Sequence, residues 1–226
     1  MRFDVITLFP EMITSVLEES IIGRAIKNGC IELYVHQLRD WSRDKHRRVD
    51  DTPYGGGRGM LIRPDPVCDC HRDVLSLSPD SQTKTVYMSP KGKLLTQRHA
   101  AELARLDRLI VLCGHYEGID RRAIDRVADE EISIGDYVLT GGELPACVLI
   151  DCISRMCEGV LPAAECYENE SVSCGMLEYP QYTRPEVYDG ESVPSVLLGG
   201  NHAEIERWRR NAALELTVKN RPDMIF

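Results

Sequence analysis

Long hydrophobic runs are missing from this sequence. The longest apolar stretches, Leu109 to Cys113 and Ala146 to Ile150, fall far short of the roughly 18–20 residues that span a bilayer. No transmembrane helix is expected. The opening Met1-Arg2-Phe3-Asp4-Val5-Ile6-Thr7-Leu8-Phe9 has neither the basic start nor the long apolar centre of a secretory signal, so a cytoplasmic protein is expected. Neither G-x-G-x-x-G nor G-x-x-x-x-G-K-[ST] fits the glycine-rich segments, which leaves dinucleotide and P-loop chemistry without a fingerprint. Internal repeats and low-complexity tracts are absent too.

A net positive charge is also lacking. Against 27 Lys and Arg stand 36 Asp and Glu, a formal charge of −9, which disfavours indiscriminate binding to nucleic acid or anionic membranes. A polyanion partner must therefore be held by a local patch. The cysteines number nine, an odd count, and Cys30, Cys113 and Cys147 sit in apolar stretches where a thiol behaves as a small hydrophobe. Cys68-Asp69-Cys70-His71 is the densest group of metal-ligand types, yet nothing elsewhere supplies the C-x-x-C partner of a structural zinc site. Cys147, Cys152 and Cys157 step by five, which rotates each by about 140° from the last on a helix. They do not converge, and no metal site is expected.

What is present is an ordinary globular composition of 226 residues, 43% apolar and 28% charged, sufficient for a conventional core. Asp4 to Phe9 reads as a strand. Pro10 then opens a helical pattern through Met12, Ile13, Val16, Leu17, Ile21, Ile22, Ala25 and Ile26, ending before Gly29. Further strands are expected at 31–35, 85–88, 109–113 and 131–134, mostly separated by helical patterns, with Thr96 capping one helix. Short apolar strands alternating with helices predict a mainly parallel sheet with helices on both faces. A long helix begins near Glu143 or Leu144, with Pro145 in its first turn. Beyond Gly159 the strand signal stops; residues 161–176 read as a flexible linker, and 177–226 as a small helical unit. Its helix is opened by Asn201 and Glu204 as a capping box and stopped by Pro222.

Two kinds of segment carry chemistry. Glycines cluster at Pro53 to Met60, Gly114 to Asp120 and Ser133 to Pro145, the last two where predicted strands end. Ligands of open α/β sheets bind at the carboxyl ends of strands, and glycines there admit a ligand against the backbone. With Tyr116, Tyr137 and Leu139 the loops would form an apolar slot for a flat ring; tight βα turns are the equal alternative. The other segment runs from Arg39 to Arg48. It sets Arg39, Arg43, Lys45, Arg47 and Arg48 against Asp40 and Asp44, with Trp41 and His46 interleaved. Charge plus stackable rings suits RNA, although a solvated loop has the same composition.

As a set, these blocks resemble the bacterial tRNA (guanine-N1)-methyltransferases, members of the SPOUT or α/β-knot class. The matching blocks are Phe3 to Pro10, His46 to Met60 (HRRVDDTPYGGGRGM), Gly114 to Asp120, Ile134 to Pro145, PQYTRPE at 180–186, and Gly200 to Ile205. The resemblance implies an α/β knot domain over 1–160, a trefoil knot near its C-terminal end, and a small tRNA-binding domain. It implies methyl transfer from S-adenosylmethionine to N1 of guanosine 37 of tRNA, next to the anticodon. It also implies a homodimer with shared active sites, and leaves Mg2+ in catalysis as an open requirement.

Carried over residue by residue, the cofactor falls to Ser89, Pro90, Gly114, Tyr116, Glu117, Ile134, Gly135, Asp136, Tyr137, Val138, Leu139, Gly141, Gly142 and Pro145. The anticodon stem-loop falls to His46, Arg47, Arg48, Asp51, Gly56, Gly57 and Arg184. Guanine N1 is protonated at neutral pH, so its methylation needs a base and a donor for the charge that develops toward O6. By resemblance these are Glu170 and Arg155. The family's Asp-Ser-Phe reads Glu170-Ser171-Val172 here, one methylene longer at the base, and Arg58 stands where the family usually has a small residue or proline. Read alone, Glu170 is an ordinary loop acid and Arg155 a helix-end cation. A SPOUT-type methyltransferase on another RNA, or a catalytically silent RNA-binding relative, are the competing functions.

Overall fold

The computed structural model describes residues 1–163, 165–168 and 170–225. The chain divides into two compact units, Met1–Ala163 and Ala164–Phe226.

The first unit holds a five-stranded sheet built from β1 (Arg2–Thr7), β2 (Glu32–Gln37), β5 (Thr83–Leu94), β6 (Arg108–Cys113) and β7 (Glu130–Ser133), in the order β2-β1-β6-β5-β7. Every neighbouring pair in it is parallel. β3 (Asp50–Asp51) and β4 (Leu61–Ile62) form a separate antiparallel pair that closes the loop 52–60. Helices α1 (Pro10–Leu17), α2 (Ser20–Lys27), α3 (Pro64–Ser76), α4 (Gln97–Leu103), α5 (Arg121–Val127) and α6 (Glu143–Ser154) supply the cover.

Strand periodicity explains why both faces are covered. On β1, Phe3 and Val5 enter one apolar cluster with Ile13, Leu17, Ala146, Leu149 and Ile153, from α1 and α6. Ile6, alternating with them, joins Val67, Cys70 and Val74 of α3 and Ile124 of α5 on the other side. β6 alternates likewise and is buried throughout, as a central parallel strand should be. Cys70 is wholly buried in the second cluster, and the neighbouring His71 ring bonds the Thr85 hydroxyl at 2.9 Å.

Expected element types were found with shifted edges, and two expectations need correction. The single helix expected from Pro10 breaks into α1 and α2 at Glu18–Glu19. Ser20 adopts φ +54°, and Gly23 lies so close to the Glu18 carbonyl that a Cβ would sit 2.0 Å from its oxygen. Apolar periodicity survives such a break because both pieces cover the same face. The strand signal also resumes after Gly159, in the second unit, where β8 (Val187–Tyr188) and β9 (Glu191–Ser192) form a hairpin. Asp189 and Gly190 both take positive φ there, the Asp-Gly turn that twists two strands together.

That unit also holds helix α7 (Glu165–Glu168), a turn in which Val172 N–H donates to the Met176 carbonyl at 3.0 Å, and helix α8 (His202–Asn220). The Asn201 side chain accepts from Glu204 N–H at 3.4 Å at the start of α8, as the capping pattern required.

Candidate functional site

The carboxyl ends of β5, β6 and β7 lie side by side, because Met88 pairs with Cys113 and Leu94 with Ser133. Ile132 faces both Met88 and Lys93, so residues 89–92 loop out of the ladder. Three loops therefore leave the sheet at one place. The β6 and β7 loops are bonded together: Gly142 N–H donates to the Gly114 carbonyl at 2.8 Å, and His115 bridges Gly141. From the other side, Glu117 N–H donates to the Met60 carbonyl and Ile62 N–H to the Gly118 carbonyl, each at 3.0 Å.

These loops enclose a cleft of about 440 Å³, within the usual range for small-molecule sites. Of the residues expected to hold the cofactor, Ser89, Pro90, Gly114, Tyr116, Glu117, Ile134, Gly135, Tyr137, Val138, Leu139, Gly141, Gly142 and Pro145 all line it. Asp136 does not. Its side chain is exposed, because it follows Gly135 on the outer side of a tight turn in which Tyr137 N–H bonds the Gly135 carbonyl.

Close approach explains two glycines. A Cβ on Gly114 would lie 2.6 Å from the Tyr87 hydroxyl, and one on Gly142 would lie 2.9 Å from Cys113 Cα and 3.0 Å from Gly114 N. Tyr87 itself lines the cleft, and burial pushes its phenol up to about 12, so it is a neutral hydrogen-bonding group. Sequence reasoning missed it, along with His115, Arg121, Glu131 and Thr140. Tyr87 had a readable signal, being next to last in a strand segment whose end was predicted.

The apolar lining from Ile134, Val138, Leu139 and Pro145, with three tyrosine rings and many backbone groups, fits a ligand that joins a flat ring to a polar chain. Neither G-x-G-x-x-G nor the P-loop pattern occurs in these loops. The set suits S-adenosylmethionine, with its adenine and its amino-acid chain.

Apart from Arg184, the residues expected to meet RNA are spread over the segment between β2 and β4. His46, Arg47, Arg48 and Asp51 are exposed, and Gly56 and Gly57 turn at φ +79° and +131° in the same loop. Several of the cations are paired. Arg47 bonds Asp40 at 2.8 Å and Arg48 bonds Asp44 at 3.0 Å, and Arg48 with the His46 N–H holds the Asp44 carboxyl down at about 2. Such exposed pairs are weak. Trp41 departs from expectation as a stacking ring. Its Nε1–H donates to Asp73 at 2.8 Å and its body packs on the second apolar cluster, which fixes it to α3.

The two expected catalytic groups fall in different units. Arg155 is the C-cap of α6, its N–H donating to the Asp151 carbonyl at 3.2 Å. Glu170 is half-buried at the start of the turn noted above, where its carbonyl accepts from Cys174 N–H at 3.4 Å. Arg184 is exposed in the same second unit.

Comparison with known proteins agrees with this geometry. A family model described as tRNA (Guanine-1)-methyltransferase TrmD matches residues 1–226. The chain is 55% identical over 224 residues to the tRNA (guanine-N(1)-)-methyltransferase of Ruminiclostridium cellulolyticum, covering 99% of this chain and 96% of that protein. Its identity to the enzyme of the same name from Lachnospira eligens is 54%, over 99% and 94% of the two chains. For Clostridioides difficile it is 47%, over 99% and 97%. Full-length agreement at this level, together with the glycine-loop cleft at the carboxyl ends of a parallel sheet, makes this chain a member of the tRNA (guanine-1)-methyltransferase family.

Proposed function

We propose that the protein transfers the methyl group of S-adenosylmethionine to N1 of guanosine 37 of tRNA. The observation that carries the reading is the cleft that gathers residues 89–91 of β5 and the glycine loops after β6 and β7 with Tyr116, Tyr137 and Leu139. When bound, S-adenosylmethionine supplies an electrophilic methyl group on a sulfonium.

The chain's own groups do the rest. Backbone groups of Gly114 and of 134–142 take the adenine, and Gly114 and Gly142 let the loops that carry them close against Tyr87 and Cys113. Glu170 accepts the N1 proton, leaving the electron pair on N1 to form the new N–C bond. Arg155 donates to O6, where negative charge collects as that proton leaves. His46, Arg47, Arg48, Asp51, Gly56, Gly57 and Arg184 hold the anticodon stem-loop. On this reading 1–160 is the catalytic domain, 161–176 a linker and 177–226 an RNA-binding domain, in a cytoplasmic enzyme.

Two further features belong to the proposal. The chain is knotted: support comes from the strand order β6-β5-β7 combined with a β7 loop that returns to bond Gly114 beyond β5. The enzyme is a homodimer whose active sites use both subunits. Support for that comes from α1 and α6, which pack together and leave Met12, Val16, Leu144 and Val148 exposed at helical spacing.

The testing experiment is calorimetry with S-adenosylmethionine, followed by incubation with labelled cofactor and bulk tRNA, with and without a chelator. Saturable binding and label in N1-methylguanosine support the proposal, and the chelator arm decides whether Mg2+ takes part. Failure to bind the cofactor contradicts it.

A further inference from the structure

Glu143 is a buried acid that the reaction above does not use. Its side chain is 1% exposed at the first turn of α6, directly after Gly141 and Gly142, which line the cleft. Oε1 accepts the hydroxyl proton of Thr7 at 2.7 Å, and Thr7 Oγ1 in turn accepts from Phe9 N–H at 2.9 Å. Oε2 lies 3.8 Å from His115 Nδ1. Both of those atoms are shut off from solvent, and neither has another hydrogen-bond partner among the described residues. Two unmet, complementary polar atoms facing one another in a dry site are costly to keep apart.

We propose that Glu143 and His115 form a positioning pair that sets the cofactor loops, with His115 held as the Nδ1–H tautomer that donates to Glu143 Oε2. The inference rests on the cofactor reading given above. Closing the gap to a normal hydrogen bond requires a shift of about 0.6–0.9 Å, within reach of a small imidazole rotation.

The location explains what the pair does. A Cβ on Gly141 would meet Glu143 Oε2 at 2.3 Å and His115 Nδ1 at 2.6 Å, so the pair lies directly beneath Gly141. His115 also bridges Gly141 in the backbone. Its ring contacts Tyr116 edge-on at 5.0 Å and Phe9 at 4.8 Å. Through this one imidazole the end of β1, the β6 loop and the β7 loop are held in register, and Tyr116 and Gly141 are aimed into the cleft. A neutral imidazole donates from only one nitrogen, so the acceptor opposite Nδ1 selects the tautomer.

The test combines nitrogen-15 NMR of the histidine rings with cofactor affinity and steady-state kinetics. In the wild-type protein the His115 signals, identified by their loss in His115→Asn, should report the Nδ1–H tautomer. Glu143→Gln keeps an oxygen for Thr7 but turns an amide donor toward the ring, and should convert His115 to Nε2–H. The dissociation constant and cofactor KM should both rise about tenfold, with turnover at saturating cofactor within about threefold. His115→Phe keeps a ring against Phe9 and Tyr116 and should lose affinity equally. His115→Asn places an amide N–H near the Nδ1 position but lacks the ring, and should bind the cofactor more tightly than His115→Phe while staying below wild type. A wild-type Nε2–H tautomer, or wild-type affinity in both Glu143→Gln and His115→Phe, overturns the inference. Absence of cofactor binding to the wild type overturns the functional reading instead, and the tautomer measurement still judges the pair.

Discussion

Glu170 bears most of the chemical argument. A well-placed general base is worth about 10²–10⁴ in rate, so Glu170→Gln should lower the single-turnover rate by that factor while the cofactor dissociation constant stays near wild type. Glu170→Asp is the sharper variant. A displacement of about 1 Å can cost about 10²-fold, and the aspartate should be slower than wild type and faster than the glutamine. A wild-type single-turnover rate in Glu170→Gln moves the search for the base to Asp51. A second substitution probes the cleft itself. Alanine at Gly142 pushes a Cβ against the backbone of Cys113 and Gly114, neither of which yields as a side chain would. Gly142→Ala should weaken cofactor binding about tenfold or more, as read by calorimetry on a variant with native circular dichroism. Of these residues Gly142 was legible in the sequence from its motif. Glu143 was not, because it is a helix residue whose role comes from what lies across the fold, and Tyr87 was readable only from its place near the end of a predicted strand.

The parallel sheet is tied at the end away from the cleft. Asp4 of β1 is wholly buried and accepts from Arg2, from His36 of β2 at 2.8 Å and from Arg108 of β6 at 2.7 Å. Arg108 also donates to the Val74 and Leu75 carbonyls at the end of α3. Burial alone would raise the Asp4 carboxyl, but the bonds from His36, Arg2 and Arg108 outweigh it and hold the group well below the usual carboxylate range. Its contribution to stability is thus complete above about pH 4 and is lost as pH falls through the depressed folded value. Asp4→Asn should cost about 3–5 kcal/mol at neutral pH and flatten the acid limb of the denaturation profile. The basic loop before β3 is a different sort of element, since its arginines are exposed and lightly paired with Asp40 and Asp44. Replacing Arg47 and Arg48 by alanine should weaken tRNA binding and reduce the logarithmic salt slope by about 1–2, with cofactor affinity unchanged. An unchanged salt slope would mean that RNA passes elsewhere. Element types were readable because parallel strands are short apolar runs. The α1–α2 break was hidden, since Gly23 is spaced like any helix residue, and the β8–β9 hairpin was overlooked although Asp189-Gly190 marks it.

Across the whole chain, an acidic balance of −9 coexists with the proposal of an RNA substrate, so affinity must come from local cations rather than from the protein's overall field. Strand order was beyond the sequence: periodicity identifies strands but not that β6 lies between β1 and β5, nor that residues 89–92 leave the ladder. The cleft was legible as two glycine segments, 114–120 and 133–145, because both follow predicted strands; the third, 53–60, adds nothing to its lining. The expected dimer gives an independent check on the exposed stripe of α1 and α6. Sedimentation should give a mass near twice 25.5 kDa, and Val16→Glu with Val148→Glu should shift it toward the monomer and lower activity. A native dimer of that double variant would place the interface on another face. The central claim is tested most directly by incubating the enzyme with S-adenosylmethionine and two tRNA transcripts, one with guanosine and one with adenosine at position 37, then mapping the product by nuclease digestion and mass spectrometry. N1-methylguanosine at position 37 of the first transcript, with the second left unmodified, is the predicted result; methylation at another site, or equal methylation of both, contradicts it.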